Sequence, residues 1–289
     1  MRHFAALLLS ACLASQVAAQ LELKQFSFKV EATFKGKPIP QSEIKLERID
    51  TKKNAPSTVK LLPDKAKAEV DPIVRKRANP TAASANWCGA VNHATNANQI
   101  KLIHAYFQHP TCTKRTGVTQ YPQAVAAWAG IDGDTWTSAL LQSGTVCKID
   151  NSTGIVRNEA WWQWLPNGAY TISSLPVAAN DWFELTINTT SSTSAKITLS
   201  NISQGYAYTI TINNGQALGR IDADWVVERP YYGSGLSGFA SFTDVWFQDA
   251  YATRVSGSLG ILGSTQLQMA PSLCASSEYD NANQVSWSL

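Results

Sequence analysis

Trp182-Phe-Glu-Leu-Thr-Ile-Asn-Thr-Thr-Ser-Ser-Thr-Ser-Ala-Lys-Ile-Thr-Leu-Ser-Asn-Ile-Ser-Gln-Gly-Tyr-Ala-Tyr-Thr-Ile-Thr-Ile212 reads as three short runs rich in Thr, Ile and Tyr, parted by Ser, Asn and Gly. β-Branched and aromatic side chains fit a pleated, half-buried surface, and the small polar residues between the runs supply turns. Outward from here the pattern returns in Ile100-Lys-Leu-Ile-His-Ala-Tyr-Phe107 and Tyr170-Thr-Ile-Ser173. Turn signals recur about every 8 to 15 residues with no sustained helical period, which predicts an all-β sandwich or barrel. Only 16% of the residues are charged, and abundant Thr, Ser and Asn suit sheets with one wetted face.

The N-terminus reads as an address. Arg2 and His3 precede an apolar run from Phe4 to Leu13, and Val17-Ala18-Ala19 offers small residues for signal peptidase, so residues 1–19 are assigned to a signal peptide. The run is too short for a permanent bilayer helix, and no later stretch reaches the roughly 18 apolar residues one needs. A secreted, extracellular protein without a membrane anchor is expected. Cys88, Cys112, Cys147 and Cys274 remain after the signal leaves and can pair in three ways. Their spacing lacks a Cys-x-x-Cys pair, which argues against a zinc site. Asn151-Ser-Thr, Asn188-Thr-Thr and Asn201-Ile-Ser are glycosylation sequons.

Charge divides the rest of the chain. Gln20 to Arg77 holds fourteen Lys and Arg against eight Asp and Glu, whereas the residues after Arg77 hold nine against thirteen. At the boundary lies Arg75-Lys76-Arg77, followed by the small and polar Ala-Asn-Pro-Thr-Ala-Ala-Ser-Ala, the kind of stretch that processing proteases reach. Residues 20–77 are therefore read as a basic propeptide and residues 78–289 as one β domain; the bland alternative is a solvated charge run in a linker. A basic segment over an acidic domain is expected to be held partly by electrostatics that weaken as carboxylates protonate. A secreted, removable segment has little occasion to meet nucleic acid. No feature demands an oligomer, a metal or another cofactor, and a monomer is expected.

Alternate residues of a strand share a face. Trp128, Gly130 and Asp132 thus lie together, as do Glu159, Trp161 and Gln163, with Ala160, Trp162 and Trp164 opposite. Glu228 shares its face with Val226 and Asp224, and Gln142 with Leu140 and Gly144. Four such strands side by side form a groove lined by indole and carboxyl groups, suited to an extended peptide.

Five segments carry a resemblance to the glutamic peptidases, or eqolisins, over about Asn86 to Glu228. They are Asn86-Trp87-Cys-Gly-Ala-Val, Ala127-Trp128-Ala-Gly-Ile-Asp132-Gly-Asp-Thr135, Leu140-Leu-Gln142-Ser-Gly144, Ala160-Trp161-Trp-Gln163-Trp-Leu-Pro166 and Ala223-Asp-Trp-Val-Val-Glu228. Phe239-Ala-Ser-Phe-Thr-Asp resembles the strand that follows. The resemblance implies an antiparallel two-sheet β-sandwich of the jelly-roll, concanavalin A-like kind. It also implies a secreted acid endopeptidase, made as a zymogen with its propeptide as inhibitor, that cleaves peptide or protein substrates. By motif, Gln142 and Glu228 are the catalytic pair, and Trp128, Asp132, Glu159 and Trp161 line the substrate cleft. Glu159 stands where the family more often has Asp, and Gln163 where it commonly has Glu. An amide at 163 bears no charge, so the Glu228 pKa is expected to fall and the pH profile to shift.

In the mechanism so implied, ionised Glu228 takes a proton from an attacking water, Gln142 donates to the oxyanion, and Glu228 then protonates the leaving amine. Glutamate's reference pKa, about 4.3, suits an enzyme working in acid. Hydroxyl, thiol and metal catalysis rank low: there is no Gly-x-Ser-x-Gly elbow, His-Glu-x-x-His or papain-like cysteine. His104 is expected to pack or hydrogen-bond within its strand. The rivals are a carbohydrate-active or sugar-binding sandwich, in which Glu159 opposes Glu228 as a second carboxylate, and a catalytically inactive family member. Glu228 paired with its neighbour Arg229 at the surface is the plainest reading of that residue.

Overall fold

The computed structural model describes residues 25–49, 79–150, 153–233, 235–269, 273–279 and 282–287. The signal peptide, Arg75-Lys76-Arg77 and Asn151 lie outside the described residues. Among those described, strands dominate, one 3₁₀ turn spans Gln41–Glu43, and no helix is long and apolar enough to cross a membrane.

Two antiparallel sheets face each other. In chain order their principal strands are β1 (Ser27–Phe34), β2 (Glu47–Ile49), β3 (Trp87–His93), β4 (Ile100–Gln108), β5 (Gln123–Ile131), β6 (Leu140–Ile149), β7 (Val156–Leu165), β8 (Ala169–Thr171), β9 (Trp182–Thr189), β10 (Ala195–Asn201), β11 (Tyr206–Asn213), β12 (Asp222–Glu228), β13 (Tyr231–Tyr232), β14 (Gly235–Leu236), β15 (Val245–Arg254), β16 (Thr265–Met269), β17 (Cys274–Tyr279) and β18 (Ala282–Trp287). One sheet runs β16-β3-β12-β5-β6-β7-β8-β2. The other runs β1-β11-β10-β9-β4-β15-β18-β17. A bridge from β16 to β17 joins them at one edge.

The three runs that suggested a β fold are β9, β10 and β11. In β9 and β10 buried and wetter positions alternate residue by residue, so Leu185, Ile187, Ile197 and Leu199 enter the core while the Thr and Ser residues between them face out. The strands β5, β6 and β12 are buried on both faces. Their inner side chains, among them Val125, Ala127, Leu141, Trp225 and Val227, meet β9 to β11 in the main core. Cys88 pairs with Cys274 and Cys112 with Cys147, which selects one of the three open connectivities. The first bridge closes 186 residues of sequence and ties β3 to β17.

The basic N-terminal segment is part of this architecture. β1 extends the second sheet along β11 over eight register pairs, and β2 extends the first along β8 over three. Val30 and Ala32 are 4% and 5% exposed within the main core. The electrostatic grip expected from the charge imbalance is not what holds the described residues 25–49: their ion pair, Lys29 with Glu31, stays within β1. Main-chain pairing and apolar burial hold them instead. Asn201 requires a second correction, since it is fully buried and its amide donates to the Pro176 carbonyl and the Asp181 carboxylate. The folded chain cannot carry a glycan there, whereas Asn188 is exposed.

Candidate active site

The outer face of the first sheet holds a second apolar cluster, Trp87, Val91, Ala124, Ala126, Trp128, Leu140, Val146, Trp161, Val226 and Leu267. The register of β12, β5, β6 and β7 arranges this face in three rows. Glu228, Ala126, Val146 and Glu159 form the first; Val226, Trp128, Gly144 and Trp161 the second; Asp224, Gly130, Gln142 and Gln163 the third. Glu228 and Gln142 therefore flank the tryptophan row from opposite sides, four residues apart along the strands, or about 13 Å.

Each of the two is anchored. Glu228 is fully buried, and Trp128 Nε1 donates to its Oε2 at 2.9 Å, drawing the carboxylate toward the tryptophan row. Arg229 does not pair with it at the surface: its guanidinium turns away to the Ser237 carbonyl and Gln120 Oε1. Gln142 Nε2 donates to Gln163 Oε1 at 3.1 Å, and Gln163 Nε2 donates to the Asn167 carbonyl at 3.2 Å. That relay fixes which way both amides point and leaves Gln142 one further N–H. Gln142 Oε1 and Trp161 Nε1 are buried without a partner. Between the two groups the floor is Gly144, where a Cβ would strike the Ala127 carbonyl and the Trp128 backbone.

Beside the first row opens a cleft of about 310 Å³ lined by Ala126, Val146, Lys148, Arg157, Glu159, Trp161, Thr171 and Tyr232, and by Glu47 to Ile49 of β2. Glu159 is bound by Lys148 Nζ at 2.6 Å and accepts from Thr171 Oγ1. Tyr231 and Tyr232 belong to a hairpin, β13 to β14, directly after Glu228. Burial, with Glu159 nearby, pushes the Tyr232 hydroxyl well above the usual tyrosine range, so it stays neutral. Sequence reasoning missed Tyr232; the signal was a Pro-Tyr-Tyr-Gly turn immediately after the candidate base.

Asp132 is the predicted cleft residue that the structure takes elsewhere. Its φ is +70° and its carboxylate accepts the backbone N–H groups of Arg220, Ile221 and Asp222. It clamps the loop that leads into β12, and burial pushes its pKa up to about 6. Next to it, Asp222 accepts from Thr135 Oγ1, from the N–H groups of Asp134, Thr135 and Trp136, and from His93. His93, Asp134 and Asp222 place their ligand-type atoms within 4.8 Å, yet these donors already occupy both Asp222 oxygens. Hydrogen bonds from His93 and Thr135 hold Asp222 low despite burial, and Asp222 raises His93. Asp224 is wholly buried with both carboxylate oxygens unpartnered, and desolvation raises its pKa well above the usual range. His104 bonds to the Asp249 carbonyl and to Glu184 across neighbouring strands. Buried His109, pushed down to about 4 by desolvation, contacts Thr145. Neither histidine presents a nucleophile to the cleft face.

Residues 85–289 match the family model of the Peptidase A4 family. The chain belongs to the Peptidase A4 family. Among family members of known activity it is 33% identical to aspergillopepsin-2 of Aspergillus niger over 147 residues, which are 50% of this chain and 51% of that protein. It is 26% identical to scytalidopepsin B of Scytalidium lignicola over 164 residues, 55% of this chain and 57% of that one. The aligned region thus spans about half the length of either Peptidase A4 relative. The crystal structure of scytalido-glutamic peptidase with a transition-state analogue inhibitor superposes with a TM-score of 0.61, at 24% identity, covering 70% of this chain and 98% of that one. Aspergilloglutamic peptidase from Aspergillus niger superposes at 0.54, with 30% identity, covering 57% and 99%. The two-sheet sandwich is accordingly that of the family.

Proposed function

We propose that the protein is a secreted acid endopeptidase in which Glu228 activates water and Gln142 receives the oxyanion. The observation that carries this reading is the arrangement of Glu228 and Gln142 on either side of the Trp128, Gly144 and Trp161 row. A peptide laid over bare backbone at Gly144 has a carboxylate on one flank and an amide donor on the other. Glu228 takes the proton of the attacking water and returns it to the leaving nitrogen, so one group serves as base and then acid. The remaining Gln142 N–H, aimed by Gln163, donates to the carbonyl oxygen as it gains charge. Trp128 holds Glu228 in place. Lys148, Glu159 and Tyr232 shape the neighbouring wall that receives substrate side chains.

The segment 20–77 is read as a prosegment removed after Arg77, with β2 at the rim of the cleft as its inhibitory part. The carbohydrate-hydrolase alternative loses its support at Glu159. There both carboxylate oxygens are already engaged, Oε1 by Lys148 Nζ and Oε2 by Thr171 Oγ1.

The test is digestion of a denatured protein from pH 2 to 7 with pepstatin present, comparing acid-activated wild type with Glu228→Gln. Acid-limited, pepstatin-resistant cleavage that disappears in the variant is expected. A wild type that stays inert after cleavage at Arg77 and acidification overturns the peptidase reading, and sugar binding is then the next property to measure.

A further inference from the structure

The two strands of the N-terminal segment hold on very differently. β2 pairs over three residues at the rim of the cleft, whereas β1 pairs over eight on the far sheet. β1 also seats side chains in the body. Phe28 lies edge-on to Trp162 at 4.9 Å and to Tyr170 at 4.8 Å, and those two rings stack on each other at 4.9 Å. Trp162 belongs to the strand that carries Trp161 and Gln163 on the opposite, outer face of the sheet. Val30 and Ala32 complete the core beside Phe28. Flanking bonds fasten both ends: Asn214 Nδ2 donates to the Gln25 carbonyl, and the Lys35 N–H donates to the Gly205 carbonyl. Farther along, the Lys45 N–H donates to Ser174 Oγ, and Ser173 and Ser174 donate back to the Lys45 carbonyl.

We infer that, once the chain is cut near Arg77, residues 25–49 do not leave on acidification but stay as a non-covalent second chain, anchored by β1 as the outermost strand of the second sheet. The inference rests on the prosegment reading. Acid removes nothing from this contact. β11 carries no Asp, Glu, Lys, Arg or His, and burial raises the Tyr208 hydroxyl above its ordinary range. The charged residues of β1, Lys29 and Glu31, pair with each other, and the charge facing them from β10 is Lys196. Protonating Glu31 therefore frees one exposed pair and leaves the ladder and the buried rings intact. Charged neighbours gather instead around β2, whose Glu47 and Arg48 share the cleft lining with Lys148, Arg157 and Glu159. β2 is the part that yields, opening the cleft while the anchor persists.

To test this, a recognition site for an added sequence-specific protease is inserted between Ser57 and Thr58 of the full chain, in a Glu228→Gln background that prevents self-digestion. After the cut, gel filtration and native mass spectrometry at pH 7 and pH 3 are expected to show the fragment and body as one complex at both values. In the Phe28→Ala, Val30→Ala double variant, cut in the same way, the fragment should be released at least tenfold faster on dilution. Loss of the wild-type fragment at pH 3, whether or not the body stays folded by circular dichroism, overturns the inference. Failure of the prosegment reading looks different: sequencing the N-terminus of the naturally secreted protein would find no cut near Arg77, while fragment and body of the engineered chain still co-elute.

Discussion

Strands β5, β6, β7 and β12 serve two unlike surfaces with alternate residues. Toward the second sheet they present Ala127, Leu141, Cys147, Trp164 and Val227, closed over by β9 to β11. On the other side they present Glu228, Gln142, Gln163, Glu159 and Asp224 around Trp128 and Trp161. Neighbours in sequence thus do opposite jobs: Leu141 and Gln142 are equally buried, yet one fills space and the other offers hydrogen bonds. Burial alone does not distinguish a core from a site. Which side of the sheet a residue faces, and whether its polar atoms have partners, does.

The largest expected effect falls on the cleft side. Glu228→Gln keeps the shape and the donor from Trp128 but cannot accept a proton, so turnover of a peptide substrate in acid should fall by about 10²–10⁴-fold or more. Thermal stability should change little, and a variant that is both folded and active would remove Glu228 as the base. Gln142→Ala should lower turnover by about 10²–10³-fold, with KM much less affected. Its neighbour Leu141→Ala should do the reverse, losing about 2–5 kcal/mol of stability by denaturant unfolding while folded enzyme retains its kcat. Matching losses of stability in the two variants would erase the distinction between the faces.

A third measurement concerns the buried acids near the third row. The folded state raises Asp132 to about 6 and raises Asp224 in the same direction, against about 3.9 in the unfolded chain. Between those values the folded state binds more protons, so stability is full below about pH 3.9 and is lost as pH rises through 6. His93, raised by Asp222, acts in the same direction above about pH 6.5. Asp222, held low, works the other way only as pH drops below about 3.9. Buried His109, held at about 4, opposes these groups between about pH 4 and 6.5, so the readout is a difference: from pH 4 to pH 7 the denaturant midpoint of Asp224→Asn should fall less, or rise more, than that of the wild type. An unchanged slope in the variant would dissociate Asp224 from the pH dependence.

The smallest expected effect is that of Gln163→Glu. A glutamate can still accept from Gln142, but once ionised it loses its bond to the Asn167 carbonyl and faces that oxygen with like charge. Activity should fall a few-fold above about pH 4 to 5 and recover in stronger acid. A pH profile that overlays the wild type would show that the amide at 163 does not shape it.

Much of this was legible as alternation. The faces assigned to Trp128, Glu159, Trp161, Gln163, Gln142 and Glu228 follow from period two along each strand, and the register then sets those strands side by side. Asp132 escaped because the strand ends just before it: a left-handed φ of +70° breaks the alternation that would have kept it beside Trp128. Tyr232 escaped because a two-stranded hairpin leaves almost no periodic signal. The N-terminal strands escaped for another reason, since net charge describes a segment's average, whereas β1 is held by Phe28, Val30 and Ala32 and by main-chain bonds that composition does not register.

Gly144 sets a limit on how such a site can change. Even the methyl group of alanine has no room there, because the main chain of Ala127 and Trp128 already fills the space, so the point between base and donor must stay bare. New preferences among substrates have to come from the walls, where Lys148, Glu159 and Tyr232 can be exchanged one at a time. The variable part of the proposed site and its invariant part are thus different surfaces, and a library aimed at altered specificity belongs on the first.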